Sequence, residues 1–112
     1  MTGAAAALSV AHQCVQRDLV STGVWRPEIG DVLDTAAAHR GWWLEQWPDG
    51  AELVTCLLAQ DVQEAMHEAF DRHWPSCPEH QDHPLFIEPD LGTDPFWVCA
   101  RSGLPVSQVG SL

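Results

Sequence analysis

The sequence lacks lysine and tyrosine, and its 112 residues carry only five positive side chains, all of them arginine. Without lysine the chain cannot build a Walker-type phosphate loop, a Schiff base or an amine nucleophile. It also has no apolar run near the roughly 20 residues that cross a bilayer. These absences exclude several enzyme classes and predict that the chain does not span a membrane.

Acidic side chains dominate the charge, with 16 Asp and Glu against five Arg and a net charge of -11. Affinity for nucleic acid comes largely from Lys and Arg that neutralise phosphates, so no nucleic-acid partner is expected. Anionic membrane surfaces are disfavoured for the same reason. A basic protein partner would suit this charge, although acidity can also serve solubility alone.

The length and the N-terminal stretch predict a single cytoplasmic domain covering residues 1–112. The opening MTGAAAALSVAH lacks the basic region of a signal peptide. Thiols stay reduced in the cytoplasm, so the four cysteines favour metal binding or packing over disulfides.

The first 40 residues predict two helices, at residues 4–20 and 27–40. Apolar residues at spacings of three and four mark both, and Pro27 and Gly41 suit the two ends of the second. The stripe of the first helix contains Leu8, Ala11, Val15 and Leu19. Two short helices joined by a brief linker favour an antiparallel pair.

Residues 41–58 predict a β-hairpin around the turn Pro48-Asp49-Gly50. Aromatic and β-branched residues on both sides favour strands, and a Pro-Asp-Gly sequence is a typical turn signal. Tryptophans exposed on this hairpin would form a binding patch. The alternative is that they cover the core.

Residues 61–74 predict a long helix that Pro75 stops, with Asp61 and Glu64 at capping-box spacing. One face carries Glu64, His67, Glu68 and Asp71. That face is either a carboxylate and imidazole ridge or simply a solvated acidic surface.

The C-terminal third predicts a small β unit. Residues 85–87 suit an antiparallel partner for residues 96–100, and residues 90–94 provide the connecting turn. Val106 and Val109 suggest a further short edge strand.

The same region holds Cys77, His80, His83 and Cys99, a C-x2-H-x2-H-x15-C array. Thiolate and imidazole are the ligand types of zinc, and the spacing fits a closed site. About 20 residues without clear secondary structure also need an element to fix them, and a metal would supply one. The array therefore predicts a zinc ion bound by these four residues.

The two halves of the array resemble the knuckles of zinc-ribbon and rubredoxin-type sites. In the first, Cys77-Pro78-Glu79-His80, a histidine stands in place of the second cysteine. In the second, a strand leads through Cys99 to Ser102-Gly103, so that a serine stands in the fourth ligand position. Either His83 completes the set or the site has lost a ligand and is empty or open. The resemblance implies a zinc-ribbon-like subregion at residues 75–112.

Together these patterns predict an α+β fold with two N-terminal helices, a β-hairpin, a long helix and a C-terminal zinc-ribbon-like β unit. The favoured function is that of a small acidic zinc-binding protein, a non-enzymatic interaction or regulatory module with a structural zinc. Such a protein could form oligomers.

One alternative is an acidic inhibitor or immunity-type protein that neutralises a basic partner. Another is a small zinc-dependent hydrolase with an open site, in which His83 or Glu79 acts as the base. A fourth is a redox switch in which Cys77 and Cys99 lose zinc on oxidation. No H-E-x-x-H motif or nucleophile elbow supports an enzyme.

Overall fold

The structure is a computed structural model that describes residues 3–112. Three helices occupy the N-terminal two thirds and a small sheet occupies the C-terminal third, which confirms the α+β class. The elements in chain order are α1 (Gly3–Ser21), α2 (Pro27–Gln46), a 3-10 helix (Pro48–Leu53), α3 (Val54–Phe70), β1 (Leu85–Glu88), β2 (Phe96–Cys99) and β3 (Pro105–Gln108).

The three helices pack against one another through helical stripes of apolar residues. In α1 the residues Ala11, Val15 and Leu19 are buried, as their spacing predicts. In α3 the buried stripe includes Leu58, Val62 and Met66. The same core continues into the sheet, where its members include Leu85, Ile87 and Trp97.

The predicted hairpin at residues 41–58 is wrong, because helix occupies most of that segment. Helix α2 runs through Gly41 to Gln46, and the Pro-Asp-Gly sequence opens the 3-10 helix that leads into α3. The core explains this result, since Leu44 on α2 and Val54 on α3 are buried at helical positions. Gly50 packs against the ring of Trp43, where any Cβ would collide. The Pro-Asp-Gly signal therefore marks a tight link between two helices.

The bounds of the other helices also differ from the prediction. Helix α2 does not stop at Arg40, and α3 begins at Val54 rather than at Asp61. Helix α3 ends at Phe70, four residues before Trp74, because Asp71 adopts a left-handed conformation with φ of 50°.

The sheet is antiparallel with strand order β1-β2-β3. Leu85 pairs with Cys99 and Ile87 pairs with Trp97, which confirms the predicted partnership of these strands. The predicted edge strand exists as β3 and contains Val106. Val109 lies just beyond β3, and its amide donates to the Pro95 carbonyl at 3.0 Å.

A buried carboxylate joins α1 to the sheet. Asp18 has 0 % exposure and accepts hydrogen bonds from the Trp97 indole at 2.7 Å, the Gly110 amide at 2.7 Å and the Leu112 amide at 2.9 Å. Trp97 also packs edge-on against Trp74, with ring centroids 5.4 Å apart. Asp18 thereby holds a central strand and the C-terminal tail against the first helix.

Side-chain amides on α3 hold the β unit. Gln63 donates to the carbonyls of Trp74 at 3.1 Å and Leu85 at 2.9 Å. One turn earlier, Gln60 donates to the Asp90 carbonyl at 2.6 Å. These bonds position β1 and the two loops that flank it.

Candidate metal centre

The first half of the site is a loop closed by its own backbone. The Leu85 amide donates to Pro75 O at 2.7 Å, and the Cys77 amide donates to His83 O at 3.1 Å. Inside that loop the His83 amide donates to His80 O at 3.3 Å. These bonds bring the side chains of Cys77, His80 and His83 into one short turn.

The second half is the tight turn between β2 and β3. Cys99 ends β2, its amide donates to Leu104 O at 3.0 Å, and Gly103 N donates back to Cys99 O at 2.8 Å. Gly103 has a φ of +73°, a conformation that glycine adopts without strain. Pairing of β1 with β2 then sets Cys99 beside the first loop, because Leu85 is its register partner.

The structure brings all four predicted ligands together. One donor atom from each of Cys77, His80, His83 and Cys99 lies within 4.8 Å of all the others. His80 Nδ1 is 3.7 Å from Cys77 Sγ and 3.5 Å from Cys99 Sγ, and His83 Nε2 is 3.9 Å from Cys99 Sγ. Both cysteines are buried and both histidines are half-buried. Such a group could hold a metal ion.

Hydrogen bonds around the cluster orient its members. The second ring nitrogen of His83, Nδ1, lies 3.0 Å from the Pro84 carbonyl. A proton on Nδ1 donated to that carbonyl leaves the lone pair of Nε2 directed at the cluster. Outside the cluster, Arg101 from the second turn donates to Asp82 of the first loop at 2.9 Å.

Ser102 acts on Cys99 rather than as a member of the cluster. Hydrogen bonds from the Ser102 hydroxyl, and next from its backbone amide, lower the pKa of the Cys99 thiol to about 6. The thiolate is the form of cysteine that binds metals. The sequence left open whether Ser102 marks a lost ligand or His83 completes the set, and His83 is the residue found in the cluster.

The other cysteines lie outside the site. Cys56 is buried, with its thiol 3.0 Å from the Asp90 carbonyl. Cys14 is half-buried beside Gly110, and burial raises the pKa of its thiol. All four cysteines of the chain are free thiols.

The proposed tryptophan patch and acidic ridge both lie on helices. Trp42 on α2 is 65 % exposed, and Trp47 is exposed just after that helix. On α3 the acidic ridge faces solvent, where His67 stacks on His73 at 5.0 Å. Within residues 3–112, the Cys77 group is the only cluster of His, Cys, Asp or Glu with metal-binding geometry.

Fold and cluster together define an α+β protein with a Cys2His2 group able to hold a metal ion. No helix among residues 3–112 combines the length and the apolar character needed to cross a membrane.

The chain belongs to the family described as Domain of unknown function (DUF8819), whose model matches residues 4–109. The comparisons with curated proteins and with solved structures gave no match. They identify no zinc-ribbon family, and the zinc-ribbon resemblance stays at the level of the two motifs.

Proposed function

We propose that this protein is a small, non-enzymatic interaction module whose C-terminal third is stabilised by a structural zinc ion. Cys77, His80, His83 and Cys99 would hold the ion. The observation that carries the proposal is the convergence of their four donor atoms within 4.8 Å.

The distances between these atoms suit a tetrahedral zinc site. Zinc binds sulfur at about 2.3 Å and imidazole nitrogen at about 2.0–2.1 Å, so adjacent S and N ligands lie roughly 3.5 Å apart. Three of the four S to N separations in the cluster are 3.5, 3.7 and 3.9 Å, and all four donor atoms lie within 4.8 Å of one another. Two thiols with two imidazoles favour zinc over magnesium or calcium, which prefer oxygen ligands.

Four protein donors favour a structural role over the hydrolase alternative. A catalytic zinc keeps one position open for water and usually has three protein ligands. Here His83, the residue that an open site would use as its base, turns Nε2 toward Cys99 and Nδ1 toward the Pro84 carbonyl. Neither nitrogen is then free to accept a proton from a substrate.

The interaction role rests on surface chemistry. The chain carries a net charge of -11, and two tryptophans are exposed, Trp42 on α2 and Trp47 just after it. Aromatic side chains are enriched in protein interfaces. A basic protein is the partner that this charge would attract.

Metal analysis of protein purified without added metal tests the zinc proposal. We expect one zinc per chain, and a large loss of zinc in Cys77→Ser, His80→Ala, His83→Ala and Cys99→Ser. Cys14→Ser and His67→Ala are matched controls, because they remove the same groups outside the cluster and should keep the zinc.

Metal-free wild-type protein that also fails to take up added zinc would contradict the proposal. Equal zinc loss in the control variants would do so as well. Full zinc content in His83→Ala would instead support the open, three-ligand site.

A further inference from the structure

A groove of about 820 Å³ runs between α2 and α3, and none of the four metal-cluster residues lines it. Its apolar lining includes Val32, Ala36 and Ala65. The exposed Trp42 lines it too, and so do four carboxylates, those of Asp31, Asp61, Glu64 and Glu68. The groove thus combines an aromatic ring and several negative charges over an apolar lining.

This groove already binds one guanidinium, that of Arg40. Arg40 donates two hydrogen bonds to Asp61, at 2.6 and 2.9 Å, and its guanidinium carbon lies 4.9 Å from the ring centroid of Trp43. A carboxylate that accepts a bidentate pair and a tryptophan face that stacks are the two contacts that suit a guanidinium best. The walls of the groove therefore contain both kinds of contact that a guanidinium uses.

Within residues 3–112, no arginine pairs with the other aromatic and acidic groups of the groove in this way. Glu64 and Glu68 lie three and seven residues after Asp61 on α3, hence on the same side of that helix. Trp42 directly precedes the Trp43 that stacks on Arg40. Among residues 3–112, no ion pair engages Asp31, Glu64 or Glu68. Besides the Asp61 and Trp43 that contact Arg40, the groove therefore offers a second set of carboxylates and a second tryptophan that could contact a guanidinium.

We propose that the groove between α2 and α3 binds an arginine-bearing segment of a basic protein partner. The arginine stacks on Trp42 and its charge is met by Glu64 and Glu68. This inference rests on the interaction half of the proposed function and is independent of the metal. Arginine fits better than lysine because its planar, weakly hydrated guanidinium stacks and pairs bidentately.

Titration of the zinc-supplemented, 112-residue chain with a blocked hexa-arginine peptide at low salt tests the proposal. In ¹H–¹⁵N NMR spectra we expect the largest shifts at the Trp42 indole and at the amides of Thr35, Glu64 and Glu68. Hexa-lysine should bind at least about threefold more weakly, and spermidine more weakly still.

Two pairs of variants separate the groove from general negative charge. Trp42→Ala should weaken hexa-arginine binding about threefold or more, while Trp25→Ala, outside the groove, should not. Glu64→Gln with Glu68→Gln should weaken it about five- to tenfold at low salt. Glu52→Gln with Asp90→Asn removes the same charge from exposed positions outside the groove and should have a much smaller effect.

Shifts scattered over the whole surface, or equal losses in both double variants, would overturn the proposal. Equal binding of spermidine and hexa-arginine would overturn the assignment to a peptide. The zinc content of each sample separates the two proposals. Loss of peptide binding with one zinc per chain would contradict only the groove proposal, and peptide binding by a zinc-free chain would contradict only the zinc proposal.

Discussion

At the scale of single residues, the buried Asp18 connects distant parts of the chain. Its two carboxylate oxygens accept three hydrogen bonds, from Trp97 in β2 and from the backbone of Gly110 and Leu112. Buried donors that lose their acceptor each cost about 1–3 kcal/mol. One aspartate on the first helix thus secures the last residues of the chain.

We expect Asp18→Ala to lower the free energy of unfolding by about 3–5 kcal/mol, because it leaves three donors without an acceptor. Urea unfolding of the zinc-supplemented protein measures this loss. Asp49→Ala, at an exposed position of the 3-10 helix, should stay within about 0.5 kcal/mol of wild type. Similar stabilities for the two variants would show that Asp18 does not secure the tail.

The sequence predicts the cluster residues but not Asp18. Cys77, His80, His83 and Cys99 belong to residue types and spacings with a known chemical use. Asp18 is one of 16 acidic residues, and its sequence neighbours give no sign that Trp97 and the tail fold onto it. Only tertiary structure, which joins residues 79 or more positions apart, distinguishes it.

At the scale of elements, residues 41–58 form helix where a β-hairpin was predicted, which shows that packing against the core outweighed local strand propensity. Tryptophans and β-branched residues have strand propensity, yet Leu44, Val54 and Leu58 face the helical core. Burial at Val54, Leu58, Val62 and Met66 follows a helical period that crosses the predicted boundary at Asp61. The pattern is visible in the sequence over residues 54–66, and the apolar period is a stronger signal of secondary structure than turn residues are.

Helix α3 also carries polar residues that hold the β unit, and Gln63 is the clearest of them. Gln63 directly precedes Glu64 of the predicted acidic face, yet its side chain is half-buried and donates to the carbonyls of Trp74 and Leu85. Glutamine and glutamate are equally plausible on a solvated face, so composition alone could not reveal a donor that the loops require.

We predict that Gln63→Glu lowers the free energy of unfolding by about 2–3 kcal/mol at neutral pH. An ionised carboxylate cannot donate to the carbonyls of Trp74 and Leu85, and it faces their partial negative charge. Thermal unfolding followed by circular dichroism measures the change. Gln13→Glu makes the same change on an exposed position of α1 and should have little effect.

At the scale of the whole molecule, a bound metal would stabilise the helical body and the β unit to different extents. The helices bury side chains against one another, for example Val15, Leu33 and Leu58. The strands have four residues each, and their loops meet at the Cys2His2 cluster. A structural metal would therefore stabilise mainly the C-terminal third.

Zinc removal by a chelator should disorder the β unit while most of the helical circular dichroism remains. The Trp97 indole proton, which Asp18 holds at 2.7 Å, should lose its protection from hydrogen exchange, and added zinc should restore it. Amides in the middle of α1 and α3 serve as internal controls. Protection of Trp97 that does not change on chelation would contradict a structural role for the metal.

If two thiolates and two imidazoles bind one zinc ion in this cluster, X-ray absorption at the zinc edge will identify all four donor atoms. We predict a first shell of two sulfur atoms at about 2.3 Å and two nitrogen atoms at about 2.0–2.1 Å. Replacement of Cys99 by serine should remove one sulfur from that shell or abolish binding. A first shell without sulfur, or with the same two sulfur atoms after the Cys99 replacement, would contradict the account.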